Sequence, residues 1–181
     1  MRSKEFKCLP VLFLAFLMGY ALSLYGPVKV EEGHSKELVT PYFCPEDHCA
    51  LRVISWINRA NSSIDLAIYS FTHDDISRAL INAYNKGVKV RVIMEERNVD
   101  KYSEYGKLVK AGIPVKLDEN SALMHNKFMI IDGKVVLTGS FNYTNSADKR
   151  NDENLVVIAS PQVAESYEEE FNEMWSGVFG G

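Results

Sequence analysis

A short stretch of the chain, MHNKFMIIDGKVVLTGSFNYTNS at 124–146, holds side chains suited to handling a phosphate. The neutral imidazole of His125 would be a good nucleophile near neutral pH and could also return a proton. Lys127 would supply positive charge to the non-bridging oxygens, where negative charge accumulates in the transition state. Ser140 and Asn142 would add neutral donors, and Glu153 would reach the far ring nitrogen of the histidine and fix its tautomer. Together these residues predict attack on a phosphodiester.

The spacing of these residues indicates how they would be presented. HNKFMIID and KVVLTGSFN are two strand-like runs joined at Asp132-Gly133, which is a strong hairpin signal. Because side chains alternate along a strand, we expect His125 and Lys127 on one face of their strand. Ser140 and Asn142 are likewise two residues apart, so we expect them to point to a common face. Asp132 has the opposite parity to the histidine, so we expect it at the turn or on the other face. A lone His-x-Lys is more often an exposed polar pair, and only the joint spacing supports chemistry.

A covalent histidine mechanism normally uses two histidines, one to attack and one to protonate the leaving oxygen, yet this stretch occurs once. His73, in SFTHDD, is a rival within the chain, but we expect a surface residue near a helix start that Thr72 or Asp74 would cap. The other two histidines lie in a linker and in a cysteine loop. We therefore expect a second copy of the chain, with the two-fold axis through the site, to supply the second His125.

The elements that must position these side chains alternate along the sequence. Strands are predicted at ELVTPYF, SIDLAIYSF, VKVRVIM and IPVKL, with helices between them. The stretch 123–159 indicates strand, turn, strand, loop and strand without a helix. A final helix is predicted from near Pro161 to Trp175, with its glutamates facing water. This order predicts a mixed-sheet α/β/α sandwich forming one domain over residues 38–176.

The N-terminus is predicted to direct the chain to a membrane. Three basic residues precede an uncharged run from Leu9 to Tyr25, which is near the lower limit for a membrane-spanning helix and long for a signal-peptide core. Residues 1–26 are therefore expected to be a cleaved signal peptide or a membrane anchor rather than a buried core helix. Residues 27–37 form a polar linker. The basic flank places the catalytic domain outside the cytoplasm.

Two cysteines, Cys44 and Cys49 in FCPEDHC, leave three alternatives open. A short disulfide is expected in an oxidising compartment. A zinc site with His48 and His34 is the second alternative, although the C-x4-C spacing is loose and no second pair follows. Free thiols are the third.

Composition leaves the partner open. The net charge of −4 argues against nucleic acid, but five glutamates cluster near the C-terminus, and without them the balance is +1. A nucleic-acid groove would need basic side chains beside the site. The candidates are Arg97, Lys101, Lys134, Lys149 and Arg150.

His125, Lys127 and Asp132 form the pattern H-x-K-x4-D, and the runs GSFN at 139–142 and NDEN at 151–154 follow it. Together these features resemble the signature of the phospholipase D superfamily. The likeness covers about residues 38–176. It is greatest for the single-motif branch, which includes a bacterial exported endonuclease and the mitochondrial phospholipase D/Zucchini proteins. Upstream, the runs AIYSFT, GVKVRVIMEERN and GIPV are similar as well.

The resemblance implies a role for each residue. His125 matches the nucleophile that forms a phosphohistidine, and also the residue that acts as acid. Lys127 and Asn142 match phosphate-binding side chains, Ser140 a supporting hydroxyl and Glu153 the carboxylate that orients the histidine. The motif's aspartate fits a structural role. The resemblance also implies a homodimer with the site on its two-fold axis, and neither a metal nor another cofactor.

We therefore expect a metal-independent endonuclease that cleaves DNA or RNA. The alternative is a phospholipase D-type hydrolase of phospholipids such as cardiolipin, held at the membrane by residues 9–25 if these are not cleaved. A third hypothesis, from another class, is a membrane-tethered dimer that binds nucleic acid without catalysis.

Overall fold

The computed structural model describes residues 38–179, so the predicted N-terminal segment and linker lie outside the described part. Within that part, no helix is both long and apolar enough to cross a membrane. The strands are β1 Leu38–Cys44, β2 Ser63–Ile68, β3 Lys89–Met94, β4 Val115–Leu117, β5 Lys127–Ile131, β6 Val135–Gly139 and β7 Glu153–Ala159. The helices are α1 Cys49–Ile57, α2 Asp74–Asn85, α3 Tyr105–Lys110, α4 Asn145–Lys149 and α5 Pro161–Ser176, with a 3-10 turn at Glu96–Asn98.

The strands form one mixed sheet in the order β1-β7-β6-β5-β2-β3-β4. Strands β2, β3 and β4 pair in parallel, whereas the other pairs are antiparallel. At one edge, called here the Lys127 edge, Ile68 pairs with Lys127 and Cys44 pairs with Glu153. At the other, the Asp132 edge, β5 turns into β6 through Asp132 and Gly133. The predicted mixed sheet is confirmed.

Helices cover both faces of the sheet, as the predicted α/β/α sandwich requires. Apolar side chains of α1 and α2, among them Val53 and Leu80, pack on one face within the larger buried cluster. The buried side chains of α5, including Phe171 and Met174, pack on the other face. Burying one such side chain contributes about 1.5–3 kcal/mol, so these two clusters hold the helices on the sheet.

The stretch between β6 and β7 contains a helix that the sequence did not predict. The Thr144 hydroxyl accepts a hydrogen bond from the Ala147 amide and caps α4 at its start. Its five residues are too few to show a helical period, so only the Thr144 cap could have signalled it. The expectation of a helix-free stretch was wrong.

Glu168 also departs from the prediction that the glutamates of α5 face water. Arg91 donates two hydrogen bonds to the buried Asp65, and its Nη2 lies 3.8 Å from Glu168 Oε2. Partial burial, followed by the charge of Asp65, raises the pKa of Glu168 to about 7. The side chain is partly buried because it lies beside Asp65 on the sheet, which a helical period alone does not reveal.

A disulfide joins Cys44, the last residue of β1, to Cys49, the first residue of α1. This is the first of the three alternatives for FCPEDHC. Across residues 38–179, no cluster of three or more metal-ligating side chains is present.

Candidate active site

His125, the predicted nucleophile, lies on the connection between β4 and β5, two residues before β5 begins. His125 is exposed, and Lys127 is the first residue of β5. The ring of Tyr69 lies edge-on to the His125 ring, with centroids 4.4 Å apart, and its centroid is 4.9 Å from Lys127 Nζ. Lys127 Nζ also donates to the backbone carbonyl of His125 at 2.8 Å. The two side chains are thus brought together against one aromatic ring.

Lys127 is a less hydrated cation than an ordinary surface lysine. Partial burial lowers the pKa of Lys127, and the charge of Glu153 opposes that change. A partly desolvated ammonium beside an exposed imidazole suits the binding of an anion such as a phosphodiester.

Ser140 and Glu153 form a hydrogen-bonded pair at the same edge. Ser140 Oγ donates to Glu153 Oε2 at 2.5 Å and accepts from the Asn154 amide at 3.1 Å. Asn151 Nδ2 donates to the other carboxylate oxygen at 3.2 Å. In the described part of the chain, no hydrogen bond joins Glu153 to His125, so a single chain does not make the expected orienting contact.

The glycine before Ser140 is required by close backbone approach. Gly139 has φ +145, and a Cβ at this position would lie 2.3 Å from the Asn154 carbonyl oxygen. Any other side chain would force β6 away from β7 and would separate Ser140 from Glu153.

Asn142 is held between two buried aromatic residues. Phe141 and Tyr143 are each 2% exposed, and Tyr143 pairs with Phe71 in an isolated parallel bridge. The Oδ1 atom of Asn142 is buried and has no hydrogen-bond partner among the described residues. Because Oδ1 only accepts hydrogen bonds, the predicted contact with a phosphate oxygen would be made by the Nδ2 group of the same amide, which donates.

Asp132 lies at the Asp132 edge, where its parity places it. Its carboxylate accepts backbone hydrogen bonds from Asn61, Ser62 and Ser63 at 2.7–3.1 Å, and its own φ is +55. Partial burial opposes ionisation, but these hydrogen bonds outweigh it and lower the pKa of Asp132 to about 2. Asp132 lies five positions beyond Lys127, the first residue of β5, and at about 3.4 Å per residue this places it roughly 17 Å from the Lys127 edge.

Four of the five basic candidates lie on the connections at the Lys127 edge. Arg97 and Lys101 lie between β3 and α3. Lys149 is the last residue of α4, and Arg150 is its C-cap. Lys134 belongs to the turn beside Asp132, so the structure does not bring it beside the site.

His73 is not the surface residue that we expected. It does precede α2, but its side chain makes no cap, and the residue is only 5% exposed. Its Nε2 lies 3.8 Å from Asp148 Oδ2, and neither ring nitrogen has a hydrogen-bond partner within residues 38–179. The bridge between Phe71 and Tyr143 draws this segment into the core, which the local sequence does not reveal. The expected caps from Thr72 and Asp74 were also wrong.

Sequence reasoning missed two residues that contact the site, Tyr69 and Glu95. Tyr69 follows β2 and touches both His125 and Lys127. Glu95 follows β3, is 2% exposed and accepts a hydrogen bond from the Met124 amide. A charged residue directly after an apolar parallel strand is a signal that could have identified Glu95, because such strand ends meet at one edge of the sheet.

The chain is similar to known proteins in sequence and in fold. Residues 53–175 match the family described as "Cardiolipin synthase, PLD-like domain". A protein named phospholipase D from Rickettsia felis is 37% identical, over 85% of this chain and 88% of its own length. A mitochondrial cardiolipin hydrolase from Chlamydomonas reinhardtii is 35% identical, over 75% of this chain and 65% of its own length.

Two solved structures share the fold. Nuc from Salmonella typhimurium, described as a phospholipase D family member, superposes with a TM-score of 0.75 and 36% identity, over 78% of this chain and 96% of its own. NucT from Helicobacter pylori superposes with a TM-score of 0.71 and 29% identity, over 81% of this chain and all of its own.

A mixed-sheet sandwich with a histidine, a lysine and an asparagine at one sheet edge defines a class of phosphodiesterases. Within that class, the chain belongs to the phospholipase D superfamily. The family that the H-x-K-x4-D pattern predicted is therefore confirmed.

Proposed function

We propose that the chain is a metal-independent phosphodiesterase that cleaves DNA or RNA through a covalent phosphohistidine. The observation that supports this most directly is the placement of His125 and Lys127 against the Tyr69 ring. The imidazole of His125 attacks phosphorus while the bond from phosphorus to the leaving oxygen breaks, and Lys127 and Asn142 bind the non-bridging oxygens. Water then cleaves the bond between phosphorus and nitrogen and restores the histidine.

The leaving oxygen needs a proton, and His125 of the partner subunit would supply it in a homodimer. Within the described residues, His73 is buried and His48 lies in the disulfide loop, which supports a donor from a second copy. Glu153 binds Ser140 and Asn151 in its own subunit. We infer that the same carboxylate orients His125 of the partner subunit across the two-fold axis.

Nucleic acid is the preferred substrate because Arg97, Lys101, Lys149 and Arg150 lie on connections at the Lys127 edge. These cations would follow the phosphates on either side of the cleaved bond. The similarity to Nuc and NucT at 36% and 29% identity agrees with the resemblance of the sequence to the endonuclease branch.

A lipid phosphodiester is the second candidate. The relatives include proteins named phospholipase D and mitochondrial cardiolipin hydrolase. A groove of about 350 Å³ beside His125 is lined by Leu123, Met124, Met174 and Phe179 and also by Asn120, Asn126 and Glu170, so part of its lining suits an apolar group next to a polar one. In either case we propose export or membrane association through residues 9–25, with the domain outside the cytoplasm.

The test uses the full chain, purified in detergent micelles and held in EDTA. Single-stranded DNA, plasmid DNA, RNA and cardiolipin vesicles are offered in parallel, with His125→Ala beside each. We expect nucleic-acid cleavage that survives EDTA and is lost in the variant, and a phosphate label trapped on His125 after acid-free quenching. Lipid turnover with intact nucleic acid would support the second candidate. Binding of nucleic acid that survives His125→Ala, with no turnover in the parent, would support a non-catalytic binding dimer.

A further inference from the structure

We infer that Glu95 is a positioning residue that fixes the location of His125, an inference that rests on the proposed role of His125 as nucleophile. The carboxylate of Glu95 does not contact His125 itself. It accepts a hydrogen bond from the backbone amide of Met124, the residue immediately before the histidine, at 2.8 Å.

The connection that carries the histidine has no helix or strand to hold it. It runs from Asp118 to Asn126, between β4 and β5. Its first residue is buried, and the carboxylate of Asp118 accepts from the amides of Glu96 and Asn120. His125 lies seven residues after Asp118, so the Asp118 contacts hold the start of the connection, and the end that carries the histidine has its own contact at the Met124 amide.

Glu95 supplies that contact from a rigid base. It follows β3, which pairs with strands on both sides, and its amide donates to the Ile68 carbonyl of β2. The residue is 2% exposed, and its second carboxylate oxygen accepts from the Arg97 amide at 3.3 Å. A buried carboxylate is costly unless its oxygens are satisfied, and a charged acceptor makes a stronger hydrogen bond to an amide than a neutral one. Met124 is itself 2% exposed, so its amide and side chain are both held while the next residue projects to the surface.

Arg97 and Asn98, which follow Glu95, donate hydrogen bonds to residues around His125. Arg97 Nη2 donates to the Ser121 carbonyl at 2.9 Å, within the connection. Asn98 Nδ2 donates to the Tyr69 carbonyl at 2.8 Å, and the Tyr69 amide donates to the Asn126 carbonyl at 2.9 Å. One segment, residues 95–98, therefore holds the connection before His125 and the aromatic residue against which the imidazole packs.

The experiment compares Glu95→Ala, Glu95→Gln and Glu95→Asp with Glu96→Ala in the full chain. Glu96 is the matched control, because it is the exposed neighbour and its loss changes the charge equally. The substrate is bis(p-nitrophenyl) phosphate, whose leaving group departs without a proton, so the rate reports attack by the histidine. Amide hydrogen exchange at Met124 and the ring signals of His125 are measured by NMR in the same samples.

We expect Glu95→Ala to lower kcat by about 10- to 100-fold with KM nearly unchanged, since a shift of about 1 Å in a reacting group has a cost of this size. Glu95→Gln keeps an acceptor at the same reach and should restore most of kcat, whereas Glu95→Asp retracts the acceptor and should not. Exchange at Met124 should accelerate in the alanine and aspartate variants only. If Glu95→Ala fails to fold, the comparison of Glu95→Gln with Glu95→Asp tests the same inference.

An unchanged kcat in folded Glu95→Ala, or an equal loss in Glu96→Ala, would overturn the inference. Failure of the proposed function gives a different result. The parent would then show no turnover dependent on His125, while the Met124 amide and the His125 ring signals would still respond to Glu95→Ala.

Discussion

The ring of Tyr69 contacts His125 edge-on at 4.4 Å between centroids and also faces Lys127 Nζ at 4.9 Å. One side chain at the end of a central strand therefore orders both the nucleophile and the cation of the proposed mechanism. The contact with Lys127 is of the cation–π type, which gains strength as the ammonium loses water. Lys127 is half-buried, so this loss is partial, and the same burial lowers the pKa of Lys127.

Removing that ring should disorder both groups at once. We expect Tyr69→Ala to lower kcat on bis(p-nitrophenyl) phosphate by about tenfold or more, because the histidine and the lysine both lose a packing surface. Tyr69→Phe is the matched control and should keep most of the activity, since the ring provides both contacts. Equal losses in the two variants would instead assign the effect to the phenolic hydroxyl.

Asp132 should matter for stability and not for turnover. Asp132→Asn tolerates the positive φ but offers one acceptor oxygen in place of two. We expect a loss of about 1–2 kcal/mol in the free energy of unfolding at pH 7, since the hydrogen bonds to the charged group are partly screened by solvent. Turnover per folded molecule should be unchanged, because Asp132 lies at the opposite edge from His125. Urea denaturation and active-site titration measure the two quantities.

The pH dependence of that difference follows from the lowered pKa of Asp132. A carboxylate with a pKa of about 2 when folded, and near 3.8 when unfolded, stabilises the fold above the higher value. The stabilisation is lost as the pH falls through the lower value. The parent and Asp132→Asn should therefore converge in stability as the pH approaches 2, and a constant difference would contradict this origin.

Much of the fold could be predicted because local pattern and tertiary structure agree there. Strand β2 is a mostly apolar run, β3 alternates Val90 and Val92 with Lys89 and Arg91, and Gly87 and Gly112, both at positive φ, follow the ends of α2 and α3. The hairpin through Asp132 was predictable from alternation and turn chemistry alone. These features depend on neighbours within a few residues.

The rest depended on residues that are distant in the sequence. His73 is buried because Phe71 pairs with Tyr143, some seventy positions later. Glu168 is partly buried because Arg91 and Asp65 lie beneath it. Glu95 appeared only as one charge in a run, since its partner Met124 is on another connection. No window of the sequence contains both members of these pairs.

The raised pKa of Glu168 predicts a stability that depends on pH. A carboxyl group with a pKa of about 7 when folded, against 4.5 when unfolded, stabilises the fold fully below the lower value. This contribution is lost as the pH rises through about 7. We expect Glu168→Gln to match the parent in Tm near pH 5 and to exceed it near pH 8. Glu169→Gln, at the exposed neighbouring position, should follow the parent at both pH values.

A site shared by two subunits should respond to mixed chains in a way that depends on the leaving group. Dimers re-formed from parent and His125→Ala chains should cleave DNA in proportion to about the square of the parent fraction, because both histidines are required. With bis(p-nitrophenyl) phosphate, mixed dimers should still release one p-nitrophenol in a burst, since no acid is needed. A linear dependence with DNA would indicate a site complete in one chain.

The single motif H-x-K-x4-D spans β5 from end to end. Its histidine and lysine serve the proposed chemistry, whereas its aspartate serves the stability of the fold. The histidine and lysine lie at one edge of the sheet, while Asp132 joins the start of β2 to the hairpin at the other. A chain that lost His125 by mutation would keep the aspartate, the hairpin and the sheet. Pseudoenzymes of this fold are therefore expected to retain part of the motif as an architectural remnant. The aspartate alone would then indicate the shared fold, and the histidine would indicate the proposed phosphodiesterase activity.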